Sequence, residues 1–146
     1  VSMILRENIA SLGAQIAGVN NHMGSRATAT RRTMESFFNA FPRHLIFLDS
    51  RTSTESIAFD VARAHGIAAL KNNIFLDAVD DAVAVEKSFD QLLKMARSRG
   101  SAIGLGHVGS VILLGVLEDR VPRLPQEGVQ LVRLRELTPT AAVSIR

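Results

Sequence analysis

The chain has 146 residues, of which 47% are hydrophobic and 21% are charged, and it contains no Cys, Trp or Tyr. This length suits one domain with one hydrophobic core, and the apolar content excludes a disordered or collagen-like chain. The lack of cysteine excludes disulfides and thiolate chemistry, so a metal would need His, Asp, Glu or water as ligands. No apolar run reaches the roughly 18 residues that a membrane span requires.

The charge balance is only weakly basic. The formal net charge is +3, from 17 basic and 14 acidic residues. The basic residues are spread along the chain, and the densest group is Arg26, Arg31 and Arg32. Base stacking would depend on seven Phe residues that mostly lie within apolar runs. We therefore expect a solvated, Arg-rich surface and no nucleic-acid partner.

Apolar runs alternate with amphipathic segments along the chain. Strands are predicted at residues 16–19, 45–48, 67–70, 74–76, 102–106 and 129–134. Helices are predicted over residues 28–41, 53–66, 81–99 and 110–117, the second because Thr52 and Glu55 have capping-box spacing. Such alternation is typical of βα units around a parallel sheet. We therefore predict a single α/β domain over residues 1–146, with a loose tail after Pro139.

Two short motifs occur twice, and their polar residues follow predicted strands. The tetrapeptide I-F-L-D ends at Asp49 and at Asp77, and the pattern H-x-G-S begins at His22 and at His107. These four residues follow one another at intervals of 27, 28 and 30 positions, close to the length of one βα unit. Because the carboxyl ends of parallel strands share one edge, we expect all four side chains at that edge.

The chemistry of these four residues has several interpretations. Two imidazoles and two carboxylates fit a site for zinc or another divalent ion, or a metal-free acid/base pair. Alternatively, Asp77 caps a helix. His107, which lies between glycines, would then be a structural residue whose side chain contacts the backbone. The N-cap role is weaker for Asp49, since Thr52 or Ser53 can cap the following helix. The segment 104–109 also matches G-x-G-x-x-G, which indicates a dinucleotide-binding module as an alternative.

Four strings together resemble the divergent polysaccharide deacetylase family: G-V-N-N-H-M-G-S-R at 18–26, F-L-D-S-R-T-S at 47–53, I-F-L-D at 74–77 and A-I-G-L-G-H at 102–107. The resemblance covers about residues 16–137. It implies a partial or distorted (β/α) barrel of the glycoside hydrolase/deacetylase type. It also implies a metal-dependent hydrolase that removes acetyl groups from a carbohydrate, in a periplasmic or secreted bacterial protein.

The resemblance also implies roles for particular residues. His22 is expected to bind the metal, with zinc as the expected ion, and His107 to protonate the leaving group. Asp49 or Asp77 is the candidate base, with Asp49 assigned as catalytic and Asp77 as supporting. The remaining substrate-binding or supporting residues are Asn20, Asn21, Ser25, Ser50 and Arg51.

The chain also departs from the family pattern. The early strand with paired aspartates and the later H-x-P-M-E strand have no counterpart, Lys71-Asn72-Asn73 replaces a usual Arg-Asp pair, and Val108 replaces a common Pro. The chain therefore resembles the C-terminal portion of the family domain. We expect a homodimer that covers an open sheet edge, and a non-catalytic interaction domain remains an alternative to the hydrolase.

Overall fold

The computed structural model describes residues 2–13 and 15–138. The described residues divide into two compact units, the first formed by residues 2–13, 15–71 and 134–138 and the second by residues 72–133. Both units combine helices with parallel strands, so the predicted mixed α/β class is confirmed. In the described part of the chain, no helix is both long enough and apolar enough to cross a membrane.

The first unit is a three-stranded parallel sheet with helical connections. Its elements are α1 (Ser2–Ser11), β1 (Gly18–Asn20), α2 (Ser25–Thr28), α3 (Arg31–Ala40), β2 (Ile46–Asp49), α4 (Ala58–Ala64), β3 (Ala69–Lys71) and a 3-10 turn (Leu134–Leu137). The strand order is β1-β2-β3, with Asn20 beside Leu48 and Asp49 beside Lys71. All three strands therefore end at one edge, where the following loops begin.

Aromatic packing fixes α3 against the sheet of the first unit. Phe38 and Phe47 are buried with 2% exposure each, and their rings meet edge to face at 4.9 Å between centroids. Phe37 and Phe41 pack around this pair. Each aromatic side chain buries a large apolar area, so this cluster packs α3 firmly against β2.

The second unit contains a two-stranded parallel sheet. Its elements are β4 (Ile74–Phe75), α5 (Ala82–Arg99), β5 (Gly104–Leu105), α6 (Val111–Arg120) and a 3-10 helix (Val121–Glu127). Asp81 caps the start of α5 by accepting a hydrogen bond from the Ala84 N–H, and Gly100 ends the helix in the left-handed conformation. The predicted helix at 81–99 is thus confirmed at both ends.

An arginine joins α5 to α6 in this unit. Arg120, whose side chain is 15% exposed, donates to Asp90 at 2.7 Å and also pairs with Glu86. Its guanidinium lies 5.0 Å from the centre of the Phe89 ring. The hydrogen bond to Asp90, followed by the contact with Glu86, raises the pKa of Arg120 despite the opposing effect of burial. The side chain therefore combines ion pairing with packing.

Several predicted boundaries are wrong. The predicted helix 28–41 is interrupted, because Thr30 has an extended backbone (φ −101°, ψ 110°) that separates Thr28, the last residue of α2, from α3. The helix expected from residue 53 begins at Ala58, because the Ser56 hydroxyl donates to Asp49 and holds residues 52–56 as a loop.

Two further differences lie near the ends of the chain. Residues 129–133 form no strand, and Val129 instead donates its N–H to the Leu124 carbonyl and packs against the core of the second unit. Helix α1 was not predicted. The tail after Pro139 lies outside the described residues.

Candidate functional site

A carboxylate–imidazole pair lies at the carboxyl ends of the two strands of the second unit. Asp77 follows β4 and His107 follows β5, and these strands are parallel neighbours. His107 Nδ1 lies 3.2 Å from both carboxylate oxygens of Asp77, and the backbone N–H of His107 donates to Asp77 Oδ2 at 2.7 Å. The Asp77 side chain is 2% exposed, whereas that of His107 is 66% exposed. We call this pair the dyad.

The dyad fixes which nitrogen of the imidazole is available for chemistry. An ionised carboxylate only accepts hydrogen bonds, so the contact with Asp77 places the proton of a neutral His107 on Nδ1. Nε2 then carries the lone pair. The His107 side chain is mostly exposed, whereas the Asp77 carboxylate that contacts it is buried. This geometry makes His107 an oriented group for proton transfer.

Close packing shapes the loop that carries His107. A Cβ on Gly106 would lie 2.0 Å from Leu113 Cδ2 and 3.6 Å from Asp77 Oδ1, so a larger residue at this position needs Leu113 to move. Ser110 caps α6 by accepting a hydrogen bond from the Leu113 N–H at 3.1 Å. Gly106 and Ser110 therefore hold the loop in the conformation that brings the His107 N–H to Asp77.

The same geometry argues against pyrophosphate binding by segment 104–109. A Cβ on Gly104 would meet Leu92 at 2.9 Å, so this glycine is explained by packing against α5. The Asp77 carboxylate already accepts the His107 N–H and adds negative charge beside the loop. A dinucleotide site needs its glycine loop free to approach an anion, and these contacts do not favour it.

In the first unit, asparagine and serine side chains join the loops after β1 and β2. Asn20 Nδ2 donates to Ser50 Oγ at 3.0 Å, and Ser50 Oγ donates to the Asn21 carbonyl at 2.6 Å. The Ser50 N–H donates to Asn21 Oδ1 at 2.9 Å. The structure thus brings together three of the residues assigned to a supporting role. Ser25 contacts a different residue, Thr52, with 3.2 Å between their hydroxyl oxygens.

Asp49 braces its own loop. It is 1% exposed; its Oδ1 accepts the Arg51 N–H at 2.8 Å, and its Oδ2 accepts the Ser56 hydroxyl at 2.8 Å and the Phe59 N–H at 3.3 Å. The two I-F-L-D motifs therefore end in carboxylates with different contacts, since Asp77 faces an imidazole. Burial and three donors favour a structural role for Asp49, and its assignment as a base stays a prediction.

His22 lies in a strained part of the first unit. It is exposed, and the next residue, Met23, has φ of 56°. Arg51, in the loop after β2, has φ of 51°. These are left-handed conformations that cost a non-glycine residue about 1–2 kcal/mol, so other contacts must hold them. Thr52, which donates to the Met23 carbonyl at 3.3 Å, is one such contact.

The described residues do not form a metal site by themselves. Within residues 2–13 and 15–138, no three His, Cys, Asp or Glu side chains lie close enough to hold an ion. A protein zinc site takes at least three such ligands. His22 has no carboxylate contact in this part of the chain, unlike His107.

The sequence did not predict two residues whose hydroxyls hold these loops, Thr52 and Ser56. The only available signal was the D-S-R-T-S string, in which a hydroxyl residue follows a strand-terminal aspartate. Hydroxyl side chains near such an aspartate commonly bond back to it, but the sequence does not say which one does so.

The chain is similar in sequence to two longer bacterial proteins. The chain is 39% identical over 121 residues to an uncharacterized protein of Haemophilus influenzae, a match that covers 82% of this chain and 42% of that protein. It is 33% identical over 121 residues to the uncharacterized protein YibQ of Escherichia coli, covering 82% of this chain and 37% of YibQ. The chain thus spans about two fifths of the length of these relatives.

A solved structure has the same fold. The crystal structure of an uncharacterized protein of Agrobacterium tumefaciens superposes with a TM-score of 0.82 at 22% identity, over 94% of this chain and 57% of that one. The model of the divergent polysaccharide deacetylase family matches residues 1–138, which include the strings around His22, Asp49, Asp77 and His107. The chain therefore belongs to the divergent polysaccharide deacetylase family.

Proposed function

We propose that this chain is a hydrolase domain that removes acetyl groups from a carbohydrate, with His107 as its proton-transfer group. The observation that carries the proposal is the dyad, in which a buried Asp77 carboxylate holds Nδ1 of an exposed imidazole. Family membership supports the reaction class.

In the proposed reaction, His107 first acts as a base and then as an acid. Nε2 accepts a proton from water while the water oxygen forms a bond to the acetyl carbon. The buried carboxylate of Asp77 stabilises the resulting imidazolium. Nε2 then gives the proton to the leaving nitrogen or oxygen of the sugar as its bond to the acetyl carbon breaks. A single proton passes from water through Nε2 to the leaving group, so the reaction needs no carboxylate besides that of Asp77.

The other expectations from the sequence stay proposals. We propose that the two units belong to a (β/α) barrel-type fold, that the protein acts in the periplasm or after secretion, and that two copies of the chain cover an open sheet edge. We also propose zinc binding with His22 as one ligand. Because the described residues supply no complete ligand set, the reaction above includes no step at the metal.

Acetate release tests the reaction. Purified chain is incubated with N-acetylated and O-acetylated oligosaccharides, and acetate is measured by a coupled assay. We expect His107→Ala to lower the rate about 10²- to 10⁴-fold, the usual contribution of a positioned acid–base group. His44→Ala, which removes another exposed histidine, should leave the rate unchanged. A folded wild-type chain that releases no acetate, or a His107→Ala variant as active as wild type, would contradict the proposal and favour a non-catalytic domain.

Thermal unfolding with and without Zn²⁺ tests the role of His22. A ligand that binds only the folded state raises the melting temperature. We expect Zn²⁺ to stabilise the wild-type chain and the His44→Ala control, and the shift to vanish in His22→Ala. An equal shift in all three chains would show that the ion binds elsewhere.

A further inference from the structure

Hydroxyl and carbonyl groups of the first unit tie together the loops after β1 and β2. The Thr52 hydroxyl donates to the Met23 carbonyl at 3.3 Å, and the Ser25 hydroxyl lies 3.2 Å from that of Thr52. We call these three residues, Met23, Ser25 and Thr52, the loop knot. Each is adjacent in sequence to a basic or imidazole side chain, namely His22, Arg26 and Arg51. The contacts of the knot therefore place the main chain of these three residues at one end of the sheet.

The backbone at this place is held in an ordered, unfavourable conformation. Both Met23 and Arg51 have positive φ. The buried Asp49 carboxylate accepts the Arg51 N–H at 2.8 Å, and Asn21 Nδ2 donates to the Met23 carbonyl at 3.1 Å. Strained backbone that the surroundings hold in place is concentrated at binding and catalytic sites. The contact with Asp49 thus fixes where the Arg51 side chain leaves the main chain, and the contact with Asn21 holds Met23.

Two arginines beside the loop knot, Arg26 and Arg51, carry unpaired positive charge. Both are exposed, and in the described part of the chain neither forms an ion pair. The charge of Asp49 is buried beneath the loop. Glu55, the other acid of this loop, is exposed and forms no ion pair with any described residue. The unpaired guanidinium groups are therefore available to an anion from outside.

We propose that Arg26 and Arg51, which flank the loop knot, bind the carboxylate of an acidic carbohydrate, so that the substrate is a glycan that carries uronate groups. This inference rests on the proposed function and specifies its substrate class. Arginine binds carboxylates through two parallel hydrogen bonds. Proteins that bind single-stranded nucleic acid commonly stack bases on aromatic side chains, and the phenylalanines of α3 and β2 belong to the core.

Calorimetric binding of two probes tests the inference. Hexagalacturonate carries six carboxylates, and a neutral galactose hexasaccharide serves as its uncharged counterpart. We expect the acidic probe to bind at least about tenfold more tightly at low salt, with an advantage that shrinks as salt rises. Equal affinity for the two probes would overturn the proposal.

Matched arginine variants locate the site. Arg26→Gln and Arg51→Gln should each weaken hexagalacturonate binding about three- to tenfold. Arg63→Gln should leave it unchanged, because α4 carries this exposed residue away from the edge where β2 ends. Melting curves check that each variant folds, and Arg26→Gln keeps the test valid if the Arg51 variant does not. An equal loss of affinity in the Arg63 variant would show that binding depends only on the net charge, and would overturn the proposal.

Two further results separate this inference from the proposed function and from another partner. His107→Ala should keep full hexagalacturonate binding while losing acetate release. If the wild-type chain binds the acidic probe but releases no acetate, the deacetylase proposal fails and the binding site stands. If single-stranded RNA binds more tightly than hexagalacturonate and loses affinity in the same two variants, the site is one for nucleic acid and the inference is wrong.

Discussion

Replacing Asp77 with Asn keeps the size of the side chain but removes its charge and one of its two accepting oxygens. In the structure these oxygens receive the His107 N–H at 2.7 Å and Nδ1 at 3.2 Å. Only one oxygen remains in the variant, and the new amide group donates rather than accepts. Hydrogen bonds to a buried carboxylate thus become weaker bonds to a neutral amide, which we expect to lower the free energy of unfolding by about 1 kcal/mol.

The same substitution should change the tautomer of His107. The new amide favours a lone pair on Nδ1 and a proton on Nε2, the reverse of the wild-type arrangement. Nitrogen NMR of the imidazole reports the tautomer directly, and urea unfolding gives the stability. We expect acetate release to fall about 10²-fold or more, as an acid–base contribution would be lost.

Asp80 provides the matched control. It is an exposed acid three residues further along, and Asp80→Asn should leave the stability within about 0.5 kcal/mol of wild type. The reasoning fails if Asp77→Asn unfolds at the wild-type urea concentration and keeps the proton of His107 on Nδ1.

Three further substitutions test the packing that supports the sites, each by urea unfolding. Asp49→Ala should lower the free energy of unfolding by about 2–4 kcal/mol, because two donors of the loop and one at the start of α4 lose their acceptor; a loss below about 1 kcal/mol would contradict the bracing role. Gly106→Ala should cost about 1–3 kcal/mol through the clash with Leu113, whereas Gly109→Ala, which has open space, should cost little. Arg120→Met should cost about 1 kcal/mol, less at high salt; no salt dependence would contradict its ion pairing.

The sequence was most informative about the strands and the residues that follow them. Apolar runs predicted β1 to β5 within a few residues, and the polar residue after each run lies at the carboxyl end of its strand. That result follows from periodicity and from the geometry of parallel sheets, which depend on local pattern. Helix α5 was located at both ends because Asp81 and Gly100 are strong local signals.

The different roles of Asp49 and Asp77 could not be predicted from the sequence. Both end the same tetrapeptide, yet Asp49 accepts hydrogen bonds from its own loop while Asp77 accepts them from His107, 30 residues away. The outcome depends on which donors the tertiary structure places at each carboxylate. The missed start of α4 has the same origin, since the contact between Ser56 and Asp49 overrides the capping pattern at Thr52.

A double-mutant cycle on the dyad tests the central claim most directly. Acetate release is measured for wild type, Asp77→Asn, His107→Ala and the double variant under the same conditions. If Asp77 acts only through His107, the double variant should release acetate at the same rate as His107→Ala alone. Rates that fall by the product of the two single effects would show that the residues act independently, and would contradict the dyad.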